Sequence, residues 1–273
     1  MKTIILHSQD LAIAKLVAQH IGADIQQKRT HFRFTTNKII DLNTLREVFK
    51  LDFNFVPEGF LPNQVALFVS DMDSTLINIE CIDEIADFAN LKPQVADITE
   101  RAMQGELDFD RSLVERVALL KGLEVSVLER VYTDKLQVNP GGQVLIKFLN
   151  DRKIKSAVVS GGFTYFADQL AQDIGLDYSR ANVLAVNEGR LTGVTQGDII
   201  NAQAKADFID ELCKKHSLER SQVIAVGDGA NDLAMMKIAG LSVAYHAKSI
   251  VASQADIAIN VGGLDKIIDL FDE

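Results

Sequence analysis

The chain has 273 residues, a formal net charge of −10 and an apolar share of 47%. That length accommodates one large α/β domain or two smaller units, with enough apolar residues for a substantial core. An acidic excess of this size argues against nucleic acid or an anionic membrane as partner, since both need a basic face to neutralise phosphates.

The first fifteen residues hold no long apolar stretch and no small-residue cleavage site, and no run approaches the ~20 apolar residues of a membrane span. The expected location is the cytoplasm. Residues 1–60 read as a small α/β segment. An apolar run at 3–6 is followed by Ile13, Leu16, Val17 and Ile21 at helical spacing. Alternation at Phe32 and Phe34, and again at Leu51, Phe53 and Phe55, suits half-buried strands. Residues 57–62 contain two of the four prolines and mark a linker.

From Val65 onward short apolar runs at 65–69, 156–159, 223–226, 241–245 and 257–259 are separated by helical stretches. Such continuous apolar strands predict a parallel sheet covered on both faces. Residues 80–138 interrupt the alternation with a helical pattern, led by Ile82, Ile85, Ala86 and Ala89 and continued by Leu113, Val117 and Leu120. They read as a helical cap inserted into the core.

Three of these strands run into polar clusters: Ser70-Asp71-Met72-Asp73-Ser74-Thr75, Ser160-Gly161-Gly162, and Gly227-Asp228-Gly229-Ala230-Asn231-Asp232. In an open parallel sheet ligands bind beyond the carboxyl ends of the strands, so three such clusters point to one site. Several chemistries fail on spacing. A calcium loop starting at Asp71 needs Gly at its sixth position and Glu at its twelfth, where Leu76 and Ile82 stand. A dinucleotide fingerprint at Gly227 needs a small residue where Asp232 stands, and a serine-hydrolase elbow at Ser160 needs Gly at Val158. Neither the five histidines nor Cys81 and Cys213 have metal-ligand or disulfide spacing.

Phosphoryl transfer is the reading that remains. Asp71, first beyond the strand, would be the nucleophile and Asp73 the general acid and base, provided the backbone turns both toward one pocket. A carboxylate repels an anionic phosphate, so Mg²⁺ is required to offset the repulsion, with Asp228 and Asp232 as further oxygen ligands. Ser160, Gly161 and Gly162 offer a hydroxyl and backbone N–H groups to the phosphoryl oxygens. Lys205 can supply the missing cation, although by pattern alone it reads as a solvated surface lysine.

The four groups, 71–75, 160–162, Lys205 and 227–232, resemble in order the motifs of the haloacid dehalogenase-like phosphatases. The resemblance implies a Rossmann-like core in which Asp71 takes the phosphate and Asp73 shuttles the proton. It further implies Mg²⁺ on Asp71, Asp228 and the Asp73 backbone carbonyl, Asp232 in support, and Lys205 in contact with the phosphate. Over residues 65–273 the chain is similar to the phosphoserine phosphatase branch of that superfamily, including the segment 80–86 and the run from Met103 to Arg116. That similarity implies a phosphoserine substrate whose ammonium meets Glu80 and whose carboxylate meets Arg116. Met103 and Phe109 would form an apolar wall, and Ser160, Gly161 and Asn231 a polar rim. Cys81 departs from the branch, where threonine is usual after the glutamate. Residues 1–60 fit a trimmed regulatory module, with no function carried over to them. Transfer of the phosphoryl group to another hydroxyl, or ligand sensing without turnover, are the alternatives, and a monomer or homodimer is expected.

Overall fold

The computed structural model describes residues 2–271, apart from the Met103 side chain. The N-terminal segment folds around β1 (Lys2–Leu6), β2 (Asp24–Gln27), β3 (Phe32–Thr36) and β4 (Phe53–Phe55), an antiparallel sheet in the order β2-β3-β1-β4. Helix α1 (Leu11–Ile21) starts where the Asp10 carboxylate accepts the Ala12 and Ile13 N–H groups, and it stops at Gly22 in the left-handed region. Its buried stripe is Ala14, Val17, Ala18 and Ile21, whereas Leu16, placed in the stripe by spacing, is 57% exposed. Helix α2 (Leu42–Phe49), which the sequence reading lacked, also packs on this sheet. Ile4, Leu6, Phe32, Phe34 and Phe53 form the small core beneath the two helices.

The main sheet has seven strands in the order β11-β10-β9-β5-β6-β7-β8, comprising β5 (Leu67–Ser70), β6 (Lys155–Phe163), β7 (Tyr178–Asn187), β8 (Arg190–Gln196), β9 (Val223–Gly227), β10 (Leu241–Tyr245) and β11 (Ile257–Ile259). Alternate residues serve opposite faces: Phe68, Val158, Ile224 and Val226 enter one core, and Leu67, Val69, Val159 and Ala225 the other. Six strands run parallel: the five expected runs and β7, which was not among them. The seventh, β8, pairs antiparallel to β7 across Glu188 and Gly189, both at positive φ. That two-residue turn matches the twist of a hairpin, and it adds an edge that the parallel reading did not contain.

Helices α3 (Cys81–Phe88), α4 (Lys92–Met103), α5 (Phe109–Leu119) and α6 (Ser126–Asp134) lie between Ile77 and Val138, which pair with each other as an isolated antiparallel bridge. The chain thus leaves the core and returns at one point. Helices α7 (Gly142–Asp151), α8 (Thr164–Ile174), α9 (Ala202–His216), α10 (Leu233–Ile238) and α11 (Ser249–Ala252) connect the strands. The N-terminal sheet closes against the β11 edge. The Asn54 side chain pairs with both the N–H and the C=O of Ala258, at 2.9 Å each, and the Asp52 carboxylate accepts the N–H groups of Asn260, Val261 and Gly262. Among the described residues no helix is long and apolar enough to cross a membrane.

Candidate active site

Strands β5, β6 and β9 are neighbours, so their carboxyl ends meet. Asp71 continues the ladder, its N–H bonded to Val226 O at 2.9 Å. The chain then turns sharply: Met72–Leu76 forms a π-type turn closed by the Ile77 N–H on Met72 O, with Ser74 at φ 56. A left-handed serine costs energy, and here it allows Asp71 and Asp73 to face the same cavity of about 340 Å³. Its hydroxyl also reaches Glu80 Oε1 at 2.7 Å.

Asp73 is held on both oxygens: Oδ1 accepts the Cys81 N–H at 3.1 Å and Oδ2 the Ser160 hydroxyl at 3.2 Å. The Gly162 N–H in turn fixes Ser160 Oγ at 2.8 Å. Burial raises the Asp73 pKa above the usual carboxylate range, against these hydrogen bonds. Asp71 is raised further, by burial and then by the charge of Asp232, with Lys205 opposing both.

Lys205 is fully buried, which corrects the surface reading that pattern alone gives. Its ammonium donates to Asp71 Oδ1 and Asp232 Oδ1, both at 2.7 Å. Burial by itself would lower its pKa, but the two carboxylates outweigh burial and raise it. Asp232 lies behind the cavity wall rather than on it. Its Oδ2 accepts the N–H groups of Asp228 and Gly229, so it shapes the loop that presents Asp228. Thr75 donates to Asp228 Oδ1 at 3.2 Å.

The donor set fits a hard divalent cation. Asp71, Asp228 and Asp232 each bring a carboxylate oxygen within 4.8 Å of the others, and all three donors are oxygen. Burial and the neighbouring Asp232 push Asp228 up to about 6, a sign of negative charge that a cation would relieve. Among the described residues, six carboxylates, Asp71, Asp73, Glu80, Asp83, Asp228 and Asp232, are met by Lys205, Arg116 and Lys248, with Lys92 acting on Asp83.

The cap contributes Glu80, Ile82, Asp83, Thr99, Phe109, Leu113 and Arg116 to the cavity, opposite Ser160, Gly161, Asp228 and Asn231. Glu80 is pushed to about 7 by burial and by Asp73. Of the residues expected from sequence, Asp71, Asp73, Glu80, Phe109, Arg116, Ser160, Gly161, Asn231 and Asp228 line one space, with Lys205 and Asp232 directly behind it. The Met103 side chain lies outside the described residues. Asp83 and Lys248 were not anticipated, and Ser74 and Thr75 were named only as members of the 71–75 cluster. Asp83 had a signal, since it stands three residues after Glu80, the N-cap of α3, a spacing that brings both to the same helix end.

Residues 65–240 match the model of the haloacid dehalogenase-like hydrolases. A phosphoserine phosphatase of Polaromonas sp. strain JS666 is 52% identical over 209 residues, 75% of this chain and 89% of that one. The crystal structure of a probable phosphoserine phosphatase from Vibrio cholerae in its unliganded form aligns with a TM-score of 0.86 at 37% identity, over 99% of this chain and 86% of the other. A structure described as a phospho-aspartyl intermediate analogue of phosphoserine phosphatase gives 0.70 at 40% identity, over 75% and 98%. The chain belongs to the phosphoserine phosphatase family of the haloacid dehalogenase-like hydrolases.

Proposed function

We propose that the chain hydrolyses O-phospho-L-serine to L-serine and phosphate through an aspartyl-phosphate on Asp71. The observation that carries this reading is a single cavity in which the Asp71/Asp73 pair faces Glu80 and Arg116 of the cap. An α-amino acid presents one cation and one anion, and a carboxylate and a guanidinium together suit both ends.

In the first step an Asp71 oxygen forms the bond to phosphorus as the bond to the serine oxygen breaks, and Asp73 delivers its proton to that oxygen. Burial keeps Asp73 able to hold a proton above the usual carboxylate range. The Asp73 carboxylate then removes a proton from water, which attacks the phosphorus and frees Asp71. Asp71, Asp228 and the Asp73 backbone carbonyl would hold Mg²⁺, with Asp232 in support. When bound, the ion supplies positive charge that offsets the repulsion between carboxylate and phosphate. Lys205 aims Asp71 and favours its ionised form, and in this reading its ammonium also serves a phosphoryl oxygen once substrate is bound. The Ser160 hydroxyl and Gly161 N–H serve the remaining oxygens, Asn231 extends the polar rim, and Phe109 walls the substrate. The proposal includes a cytoplasmic setting, in which the buried Cys81 and Cys213 stay free thiols.

Purified protein with Mg²⁺ should release phosphate from O-phospho-L-serine in preference to other small phosphate monoesters. Failure on phosphoserine alongside good turnover of another monoester would refute the proposal.

A further inference from the structure

Beside the cavity, cap and core share a polar contact that no step above uses. Asp110, the second residue of α5, accepts the Asn201 side-chain amide, at 3.1 Å to Oδ1 and 3.2 Å to Oδ2. Asn201 is also the N-cap of α9, its Oδ1 accepting the Ala204 N–H at 3.1 Å. One amide therefore closes the helix that brings Lys205 to Asp71 and grips the helix that carries Phe109 and Arg116.

The core side of this joint is fixed. Asn182, 2% exposed, donates to Gly161 O at 2.8 Å and accepts the Ile200 N–H at 2.9 Å. The residue before Asn201 is thereby tied to the end of β6 that borders the phosphate end of the cavity. On the cap side, Phe109 precedes Asp110 and lies against that same strand end, where a Cβ on Gly161 would stand 2.6 Å from Phe109 Cζ. The hydrogen bond and the ring contact both fix where α5 rests.

We propose that Asp110 and Asn201 form a latch that positions α5 over the core and so sets substrate affinity. The proposal rests on the phosphoserine reading, because Arg116 on α5 is the carboxylate partner in that reading. A hydrogen bond to a charged acceptor is stronger than a neutral one, yet a single half-buried contact can open to admit substrate. Substrate that binds the closed cap pays for closure through its apparent affinity: if fewer molecules are closed, KM rises in proportion, while saturating substrate still draws the cap shut. Neither residue touches the reacting atoms, so kcat is spared.

Asn201→Asp separates the latch from the N-cap. Aspartate caps a helix as well as asparagine does, but it turns a carboxylate toward Asp110. The double variant Asp110→Asn with Asn201→Asp restores a donor and an acceptor in the reverse sense. KM and kcat on O-phospho-L-serine, and hydrogen exchange of the α5 backbone amides without substrate, are the measurements. Asn201→Asp should raise KM and α5 exchange by about tenfold, with kcat within about twofold, and the double variant should return both to near wild type. Unchanged α5 exchange in Asn201→Asp, or no recovery in the double variant, overturns the latch. If wild-type protein does not turn over phosphoserine, the functional reading fails on its own, and the exchange measurements still decide the latch.

Discussion

Lys205 has no exposed surface, and its ammonium lies between two buried carboxylates. Burial and the charge of Asp232 both favour the neutral form of Asp71, and Lys205 opposes them. A group whose ionised state the fold disfavours costs stability at neutral pH, and that cost accompanies its reactivity. Asp71→Asn keeps the shape and an acceptor for Lys205 but removes the nucleophile. Turnover should fall by at least about a thousandfold, while the thermal midpoint without divalent cation stays level or rises. Retained activity above about 1% of wild type would contradict the aspartyl-phosphate route. Arg116→Ala tests the other end of the cavity: it should impair phosphoserine by about tenfold or more relative to a carboxylate-free phosphate ester, the scale of one charge-assisted hydrogen bond. An equal loss on both would remove Arg116 from recognition. The Asp71, Ser160 and Asp228 clusters were legible in the sequence because each ends an apolar strand, a local pattern. The pairings of Asn182 and Thr75 were not, since their partners lie 21 and 153 residues away and only the folded sheet brings them together.

At the scale of elements, the carboxyl end of β6 constrains its two glycines differently. A Cβ on Gly162 would stand 2.5 Å from Asp73 Oδ2, and Asp73 is pinned by both Cys81 and Ser160. A Cβ on Gly161 would meet the Phe109 ring, which belongs to a cap helix able to retreat. Gly162→Ala should therefore lower kcat by about a hundredfold, the cost of displacing a catalytic group by about an ångström. Gly161→Ala should act mainly on KM. Steady-state kinetics of the two variants decide, and equal losses of kcat would show that the difference in rigidity is wrong. The elements that escaped the sequence reading are those whose pattern is mixed. Strand β7 follows no two-residue alternation, mixing buried, half-buried and exposed positions along its length, and its turn reads Glu-Gly in place of the usual Asn-Gly. Strand β8 nonetheless supports the cap, with Leu191 exchanging hydrogen bonds with Gly122 and Leu123 at 2.8 Å each.

At the scale of the whole molecule, the N-terminal sheet is joined to the core through buried polar groups as well as apolar ones. Asp269, 1% exposed, accepts His7 Nδ1 at 2.8 Å and the Thr30 hydroxyl at 2.5 Å, with His31 Nδ1 at 3.4 Å. Arg33 Nε donates to His31 Nε2 at 3.0 Å and Asn54 Nδ2 approaches His7 Nε2 at 3.1 Å. Asn54 cannot flip without losing its pairing with Ala258, so each ring has its Nε2 acting as acceptor and its Nδ1–H turned toward Asp269. Burial would raise the Asp269 pKa, but the hydrogen bonds from His31, His7 and Thr30 hold it well below the usual carboxylate range. A carboxylate whose folded pKa is depressed contributes stability above its unfolded value of 3.8 and loses that contribution as pH falls toward the folded value. Asp269→Asn breaks the network by setting an amide donor against N–H and O–H donors. It should cost about 2–4 kcal/mol at pH 7, in the range measured for removing one partner of a buried charged network. Because the wild-type contribution itself fades in acid, urea denaturation of both proteins should show this gap narrowing once the pH passes below about 4. A gap of constant size from pH 7 down to about 3 would mean that the Asp269 charge does not stabilise the joint, and that the N-terminal sheet is held by Asp52, Asn54 and apolar burial alone.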